Sequence, residues 1–399
     1  MVRPRNLQNG SEGEVSSGPL TGTRIIELAA RGPGPFAGML LADMGAEVLR
    51  IDRPDPPPRP QAPDHRLELY NRGRRSLIVD LKHERGAEVV LRLVERADAI
   101  YEGYRPGVAE RLGIGPDSCL DRNPRIVYGR ATGWGQTGPL ADKAGHDINY
   151  IAVTGALYTI GPQGGPPVIP LNLLGDYAGG GMMLAFGIVC AMLEAKVSGR
   201  GQVVDAAMVD GVSLLMTVVH GRRLMGMWSD ERGTNYVDSG APFYNVYETS
   251  DGKYVAIGAI EPKFQSELFR AVGVDLDGID VPVTAVDRTS WIELRRRLEA
   301  VFRTRTRDEW TEVLRDTDGC FSPVLSLGEV AEYPHHRARD SFPKVDGVPQ
   351  PAPAPRFSRT RPTIRRSPPE PGEHTLRALQ DWGFDREEVQ TLHREGAIQ

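Results

Sequence analysis

Short apolar runs alternate with amphipathic stretches through the first half of the chain. Arg24–Leu28 holds Ile25, Ile26 and Leu28 in a run too short for a helix, which predicts a buried strand. After a turn at residues 32–35, Phe36, Met39, Leu40 and Met44 recur at helical spacing, and Gly45 ends that helix. Residues 47–51 return to a strand pattern. The alternation goes on through strand 76–80, helix 84–96, strand 98–102, a turn at 103–107 into a helix that carries Arg111, and strand 125–129. Repeats of this kind predict a parallel sheet with right-handed crossovers, hence an α/β, Rossmann-like large domain.

Further along, residues 145–157 read as a helix and 161–170 as a loop. A long apolar helix at 179–195 is followed by a strand at 201–207 and a helix to about Met225. The 179–195 run opens on three glycines, holds Glu194 near its end and is shorter than a spanning helix usually is, so a buried core helix is expected. Near residue 230 the pattern changes. Strands 243–248 and 254–260 flank Ser250-Asp251-Gly252 as a hairpin, and helices follow at 263–272, 290–301 and 306–315. Residues 343–371 are proline-rich and extended, and 375–382 and 386–394 are helical. This organisation divides the chain into a flexible N-terminal tail (1–18), a large domain (19–228), a small α+β domain (229–330) and a C-terminal segment (331–399) that returns to the large domain.

With 399 residues, the chain is long enough for two domains and a sizeable core. A net charge of −5 gives no basic bias toward nucleic acid or an anionic membrane. Cys119, Cys190 and Cys320 are far apart and odd in number, which argues against a disulfide framework and for a reducing, cytoplasmic setting. No CxxC or HExxH pattern occurs, so no metal site is expected. The first strand–helix turn is not GxGxxG, so the dinucleotide fingerprint is missing. The cluster Asn71-Arg72-Gly73-Arg74-Arg75 reads either as a solvated face or as a phosphate clamp.

Three stretches hold the candidate chemistry: residues 144–150, 175–181 and 258–262. Each sets one titratable side chain (His146, Asp176, Glu261) at a predicted element boundary beside glycine or proline. Taken singly, each has a plainer reading. A histidine at a helix start usually caps or packs, and an Asp before an apolar helix is usually its N-cap. The run Gly179–Gly181 stands out, because each glycine in a helix costs about 1 kcal/mol against alanine. Close approach of a ligand or of another backbone would explain it.

Together the motifs resemble the type III CoA-transferase superfamily and, within it, the α-methylacyl-CoA racemases. The resemblance spans Leu20 to about Ser358, and its strongest runs are 102–107, 132–139, 145–150, 171–181, 201–211, 240–244 and 258–264. Gly145-His146-Asp147-Ile148-Asn149-Tyr150 and Ala259-Ile260-Glu261-Pro262 look like the racemase branch. The resemblance implies that His146, paired with Glu261, handles one face of the substrate α-carbon and Asp176 the other. It implies an interlocked homodimer, in which His146 and Asp176 meet Glu261 of the other chain. It places Arg105, Arg111, Tyr104 and Tyr150 along the acyl-CoA channel and Arg53, Arg74 and Arg75 at the nucleotide end of CoA. No cofactor beyond the substrate's own CoA is implied, and no nucleic acid or membrane.

The chemistry suits these residue types. Removing the α-hydrogen of a 2-methylacyl thioester gives an enolate, and inversion needs a base on one face and an acid on the other. His146 serves either role near neutral pH. Asp176 must hold a proton, which burial favours and a helix N-terminus opposes. The backbone N–H of Asp147, in a helix first turn, is expected to donate to the enolate oxygen. The chain departs from the family in its 1–17 tail, in Arg31 at a loop position often apolar in racemases, and in the segment 373–399. Two other readings stay open here: CoA transfer, with Asp176 as the nucleophile forming an acyl-aspartyl anhydride, and a non-catalytic CoA-binding protein that kept the fold.

Overall fold

The computed structural model describes residues 18–54, 64–281, 283 and 288–399. All of the proposed tail but Gly18, and residues 55–63, lie outside the described residues. The chain divides into two compact units. One comprises 1–142, 180–207 and 340–399, and the other 143–179 and 208–339. Residues 143–179 and 208–228, assigned by sequence to the large domain, thus group with the second unit. Local hydrophobic periodicity marks elements, whereas membership of a unit is set by non-local packing that periodicity does not encode.

The first unit is built on a six-stranded parallel sheet. Its strands are β1 (Arg24–Leu28), β2 (Glu47–Asp52), β3 (Arg75–Ile78), β4 (Ala99–Glu102), β5 (Val127–Thr132) and β6 (Val203–Ala207). Their order is β3-β2-β1-β4-β5-β6. The winding direction reverses between β1 and β4, where this class of sheet opens a crevice at the carboxyl ends of its strands. Successive residues of β1 point to opposite faces, as strand geometry requires. Ile26 and Leu28 join a core with Leu49, Val90, Leu93, Leu379 and Trp382. Ile25 joins the other face with Val48, Tyr101, Leu41, Leu184 and Ile188. The C-terminal residues cover the β3 edge. Ile78 N–H donates to Thr375 Oγ1 at 3.1 Å, Val79 bridges Ile398, and Trp382 and Leu379 are fully buried.

The second unit holds a three-stranded antiparallel sheet of β7 (Tyr244–Glu248), β8 (Tyr254–Gly258) and β9 (Phe321–Pro323). The β7–β8 hairpin matches the sequence reading, with Gly252 at φ 71° in its turn. Phe243, Tyr247, Ile257, Leu268, Leu298, Phe302 and Trp310 form its core. The helix expected over 145–157 is two short ones, Asp147–Val153 and Ala156–Thr159. Gly155 stands between them at φ 81°, a left-handed conformation that ends the first helix.

The apolar helix differs most from expectation. It begins at Leu173 as a wide π-helical segment, Leu173–Met182, and continues as the α-helix Met183–Ser198. The whole run of 26 residues is long and apolar enough to cross a bilayer by length and composition, and half of its most apolar window is buried. Close contacts within the protein explain Gly179 and Gly181. A methyl group on Gly179 would lie 2.9 Å from Val212 N, and one on Gly211 would collide with the Gly179 carbonyl. The π-helix and the helix Met208–Leu215 therefore touch backbone to backbone. Gly181 likewise leaves room for Pro33 O at 2.8 Å and the Phe36 ring at 2.9 Å.

Candidate active site

His146 is the N-cap of the helix Asp147–Val153, with extended backbone (φ −134°, ψ 173°). Its N–H donates to Asn149 Oδ1 at 3.0 Å, which fixes the entry of the chain into the helix. The imidazole is exposed. Asp147 is the first helical residue, so its backbone N–H has no intrahelical acceptor and stands at the positive end of the helix. Its side chain turns inward and is buried. Tyr150 is also buried, with its ring against Gly145: a methyl group on that glycine would lie 2.7 Å from Tyr150 Cε1.

Asp176 sits not before a regular helix but inside the π-helical segment, half-buried. Wide turns of this sort recur at functional sites because they displace a side chain from regular spacing. Asp147 Oδ2 accepts from the N–H groups of both Gly175, at 2.6 Å, and Asp176, at 2.9 Å. Asn172 Nδ2 donates to Asp176 Oδ2 at 2.9 Å. Burial pushes the Asp176 carboxyl above the ordinary carboxylate range; the Asn172 bond opposes this, the Asp147 charge adds to it, and His146 opposes it. The fold thus gathers His146, Asp147 and Asp176 into one cluster, in which the Asp176 pKa is raised.

Glu261 lies elsewhere in the same unit, as the extended N-cap of the helix Pro262–Val272 (φ −81°, ψ 144°). Its carbonyl accepts from Phe264 N and Gln265 N, each at 3.0 Å, while its side chain is exposed. Among the described residues it forms no ion pair with His146 in the same chain.

The arginines divide sharply. Arg53 is exposed at the end of β2, with its guanidinium 6.0 Å from the centroid of the Tyr104 ring. Arg105 and Arg111 are exposed after β4, where the winding reverses. Arg74 and Arg75 correct the expectation that they hold the nucleotide end of CoA. Arg74 is fully buried, its Nη1 2.5 Å from Glu27 Oε2, and it also donates to the carbonyl oxygens of Tyr70 and Asn71. Arg75 pairs with Asp381 at 2.5 Å and with Glu47. The Arg74 guanidinium is committed to the inside of the fold, because a buried cation must be paired, and that of Arg75 is held by two partly exposed carboxylates. A cavity of about 260 Å³ opens at the carboxyl ends of β1 and β2, bounded in part by Arg31, Arg50, Asp52 and Tyr70. Arg50 is tied to Asp52 at 2.8 Å. No group of three metal-ligating side chains converges among the described residues.

Sequence reasoning missed two features of the cluster. The Asn172–Asp176 bond has a signal in its i, i+4 spacing. The capping of the Asp176 turn by the Asp147 side chain has none, because 28 residues separate Asp147 from Gly175.

Comparisons with known proteins bear on this cluster. The profile of CoA-transferase family III matches residues 20–375. The α-methylacyl-CoA racemase of Mus musculus is 42% identical over 384 residues, covering 95% of this chain and 97% of that protein. The α-methylacyl-CoA racemase of Homo sapiens is 40% identical over 383 residues, with the same coverage of 95% and 97%. Among solved structures, a CAIB/BAIF family protein from Brucella suis is similar, with a TM-score of 0.78 and 25% identity, covering 92% of this chain and 100% of that one.

Proposed function

We infer, for a chain that belongs to CoA-transferase family III, that it is an α-methylacyl-CoA racemase. It inverts C2 of 2-methylacyl-CoA thioesters. The observation that carries the mechanism is the pairing, in one cluster, of His146 with a carboxyl held toward its protonated form at Asp176.

In one direction His146 removes the α-hydrogen and Asp176 delivers a proton to the opposite face; in the other the roles exchange. The intermediate enolate carries its charge on the thioester oxygen, and the Asp147 N–H is the donor placed to receive it. The pairing of His146 with Asp176 favours this reading over CoA transfer, in which Asp176 alone acts as the nucleophile.

The working form is a homodimer with intertwined chains and shared sites, in which Glu261 of one chain partners His146 of the other. The exposure of both side chains supports this, as does an apolar stripe on the helix Met183–Ser198. Phe186, Leu193 and Val197 on that stripe are 67%, 66% and 87% exposed. They recur at helical spacing on the face opposite Leu184, Ile188 and Met192. Arg53, Arg105 and Arg111 bind the CoA portion, with no further cofactor. Exposed Met182, Met225 and Met227 supply an adaptable surface for branched acyl chains. Three free cysteines suit a reducing cytoplasm.

The test is incubation of a single enantiomer of a 2-methylacyl-CoA with the enzyme in heavy water. Deuterium at C2 with loss of optical purity is expected. No exchange with any member of a panel of branched acyl-CoAs would overturn the reading, and hydroxylamine trapping at Asp176 with a strict need for a free acid acceptor would replace it with CoA transfer.

A further inference from the structure

We infer that the carboxylate of Asp147 is a positioning residue for Asp176, holding the turn that carries the acid/base through two backbone N–H bonds. The inference rests on the racemase reading and adds a role for a side chain of which that reading uses only the backbone.

Gly175 and Asp176 are the third and fourth residues of the π-helical segment, where N–H groups still lack intrahelical acceptors. A helix usually satisfies such groups with a Ser, Thr, Asp or Asn immediately before it. Here a single oxygen of Asp147, 28 positions from Gly175 and 29 from Asp176, takes both, at 2.6 Å and 2.9 Å. These bonds join the turn carrying Asp176 to the helix start carrying His146. The two proton carriers are therefore spaced by one side chain.

Two further observations fit a position built for this contact. Gly175 has no side chain where one would collide: a methyl group there would lie 2.6 Å from Asp147 Oδ2 and 3.2 Å from Asp147 Cα. The other oxygen, Oδ1, is buried with no hydrogen-bond partner among the described residues. Oδ2 alone thus carries the hydrogen bonding of this side chain, and both of its bonds go to the turn that holds Asp176. The charged groups acting on Asp176 are Asp147, which favours its protonated form, and His146, which favours the ionised form; Asn172 is a neutral donor. Asp147 therefore does two things with one group. It fixes where Asp176 stands and it helps Asp176 retain the proton it must deliver.

Three variants of the full-length enzyme separate these effects, with deuterium exchange at C2 of a 2-methylacyl-CoA as the readout. Asp147→Ala removes acceptor and charge; kcat is expected to fall roughly 100-fold with KM within about 3-fold, the signature of a misplaced reacting group. Asp147→Asn keeps an acceptor oxygen and removes only the charge, so activity stays within about 10-fold of wild type. In that variant the pH limb belonging to Asp176 moves to lower pH, because the like charge that raised it is gone. Gly175→Ala displaces Oδ2 without removing any titratable group, and adding it to Asp147→Ala costs less than it does alone. An Asp147→Ala enzyme with wild-type kcat and an unmoved Asp176 limb would overturn the inference. If circular dichroism shows that variant unfolded, the decision falls to the other two: an unmoved limb in Asp147→Asn with wild-type kcat in Gly175→Ala would overturn it equally. Failure of the wild-type enzyme to exchange would instead sink the racemase reading.

Discussion

Asn172 and Asp176 stand one helical turn apart, and the Asn172 side-chain amide donates to the Asp176 carboxyl at 2.9 Å. Burial and Asp147 raise the pKa of the carboxyl, the Asn172 bond lowers it, and the net shift is upward. The carboxyl is thus tuned by opposing neighbours rather than by burial alone.

Removing the donor should push the balance further. In Asn172→Ala the Asp176 limb of the pH–rate profile of exchange is expected to move to higher pH, opposite to the shift in Asp147→Asn. A profile that stays in place or moves down would show that the amide does not act on the reacting form.

The same tuning has a stability signature. A carboxyl whose folded pKa is raised contributes stability that is fully present below its unfolded pKa and is lost as pH rises through the folded value. Asp176→Asn should therefore abolish racemisation yet raise Tm at pH 7, with no gain at pH below about 3.8, the unfolded value. Thermal melts at the two pH values check this; a loss of Tm at neutral pH would contradict it.

A two-base mechanism makes His146→Ala informative in an unusual way. Inversion fails in both directions, since each needs both faces. The enantiomer whose hydrogen Asp176 removes should still exchange it for deuterium, slowly and with retention, while the other enantiomer does not exchange. Equal residual exchange from both enantiomers, measured by NMR, would argue against separate bases.

Arg74 and Arg53 should fail differently. Arg74→Ala leaves Glu27 buried and unpaired and is expected to cost about 3–5 kcal/mol in denaturant unfolding, with the KM of any folded fraction unchanged. Arg53→Ala should leave stability alone and raise KM for acyl-CoA roughly 10- to 100-fold, the loss of one charge-assisted contact. Denaturant titration and steady-state kinetics on the two variants decide it.

The apolar stripe of the Met183–Ser198 helix offers a test of assembly. Leu193→Glu places a charge amid exposed Phe186, Val189 and Val197 and should yield an inactive monomer by light scattering. An active monomer, or an unchanged dimer, would remove this face from the interface.

The strands of the parallel sheet were legible because each is a short apolar run bounded by turn residues, and the hairpin because Ser250-Asp251-Gly252 permits little else. His146 and Asp176 were legible as residues at element boundaries, and their joint meaning came through family resemblance. Three things were hidden. Arg74 looks like a surface cation in sequence, since nothing local shows that Glu27, 47 residues away, waits to pair with it inside the fold. The glycines at 179–181 announce a close approach without naming what approaches. The Asp147 contact is a meeting of two segments that only the folded chain brings together.

The π-helical stretch gives the site a sensitivity to residue count. A π-turn holds one more residue than an α-turn, and each residue of an α-helix advances the side-chain direction by about 100°. Deleting a single residue between Leu173 and Asp176 would turn the Asp176 carboxyl away from its present direction in the cluster. Chemically conservative substitutions can leave the active site standing, but a change of length by one cannot. Within this stretch the spacing of the chain sets the direction of Asp176 as firmly as its sequence sets the side chain's chemistry.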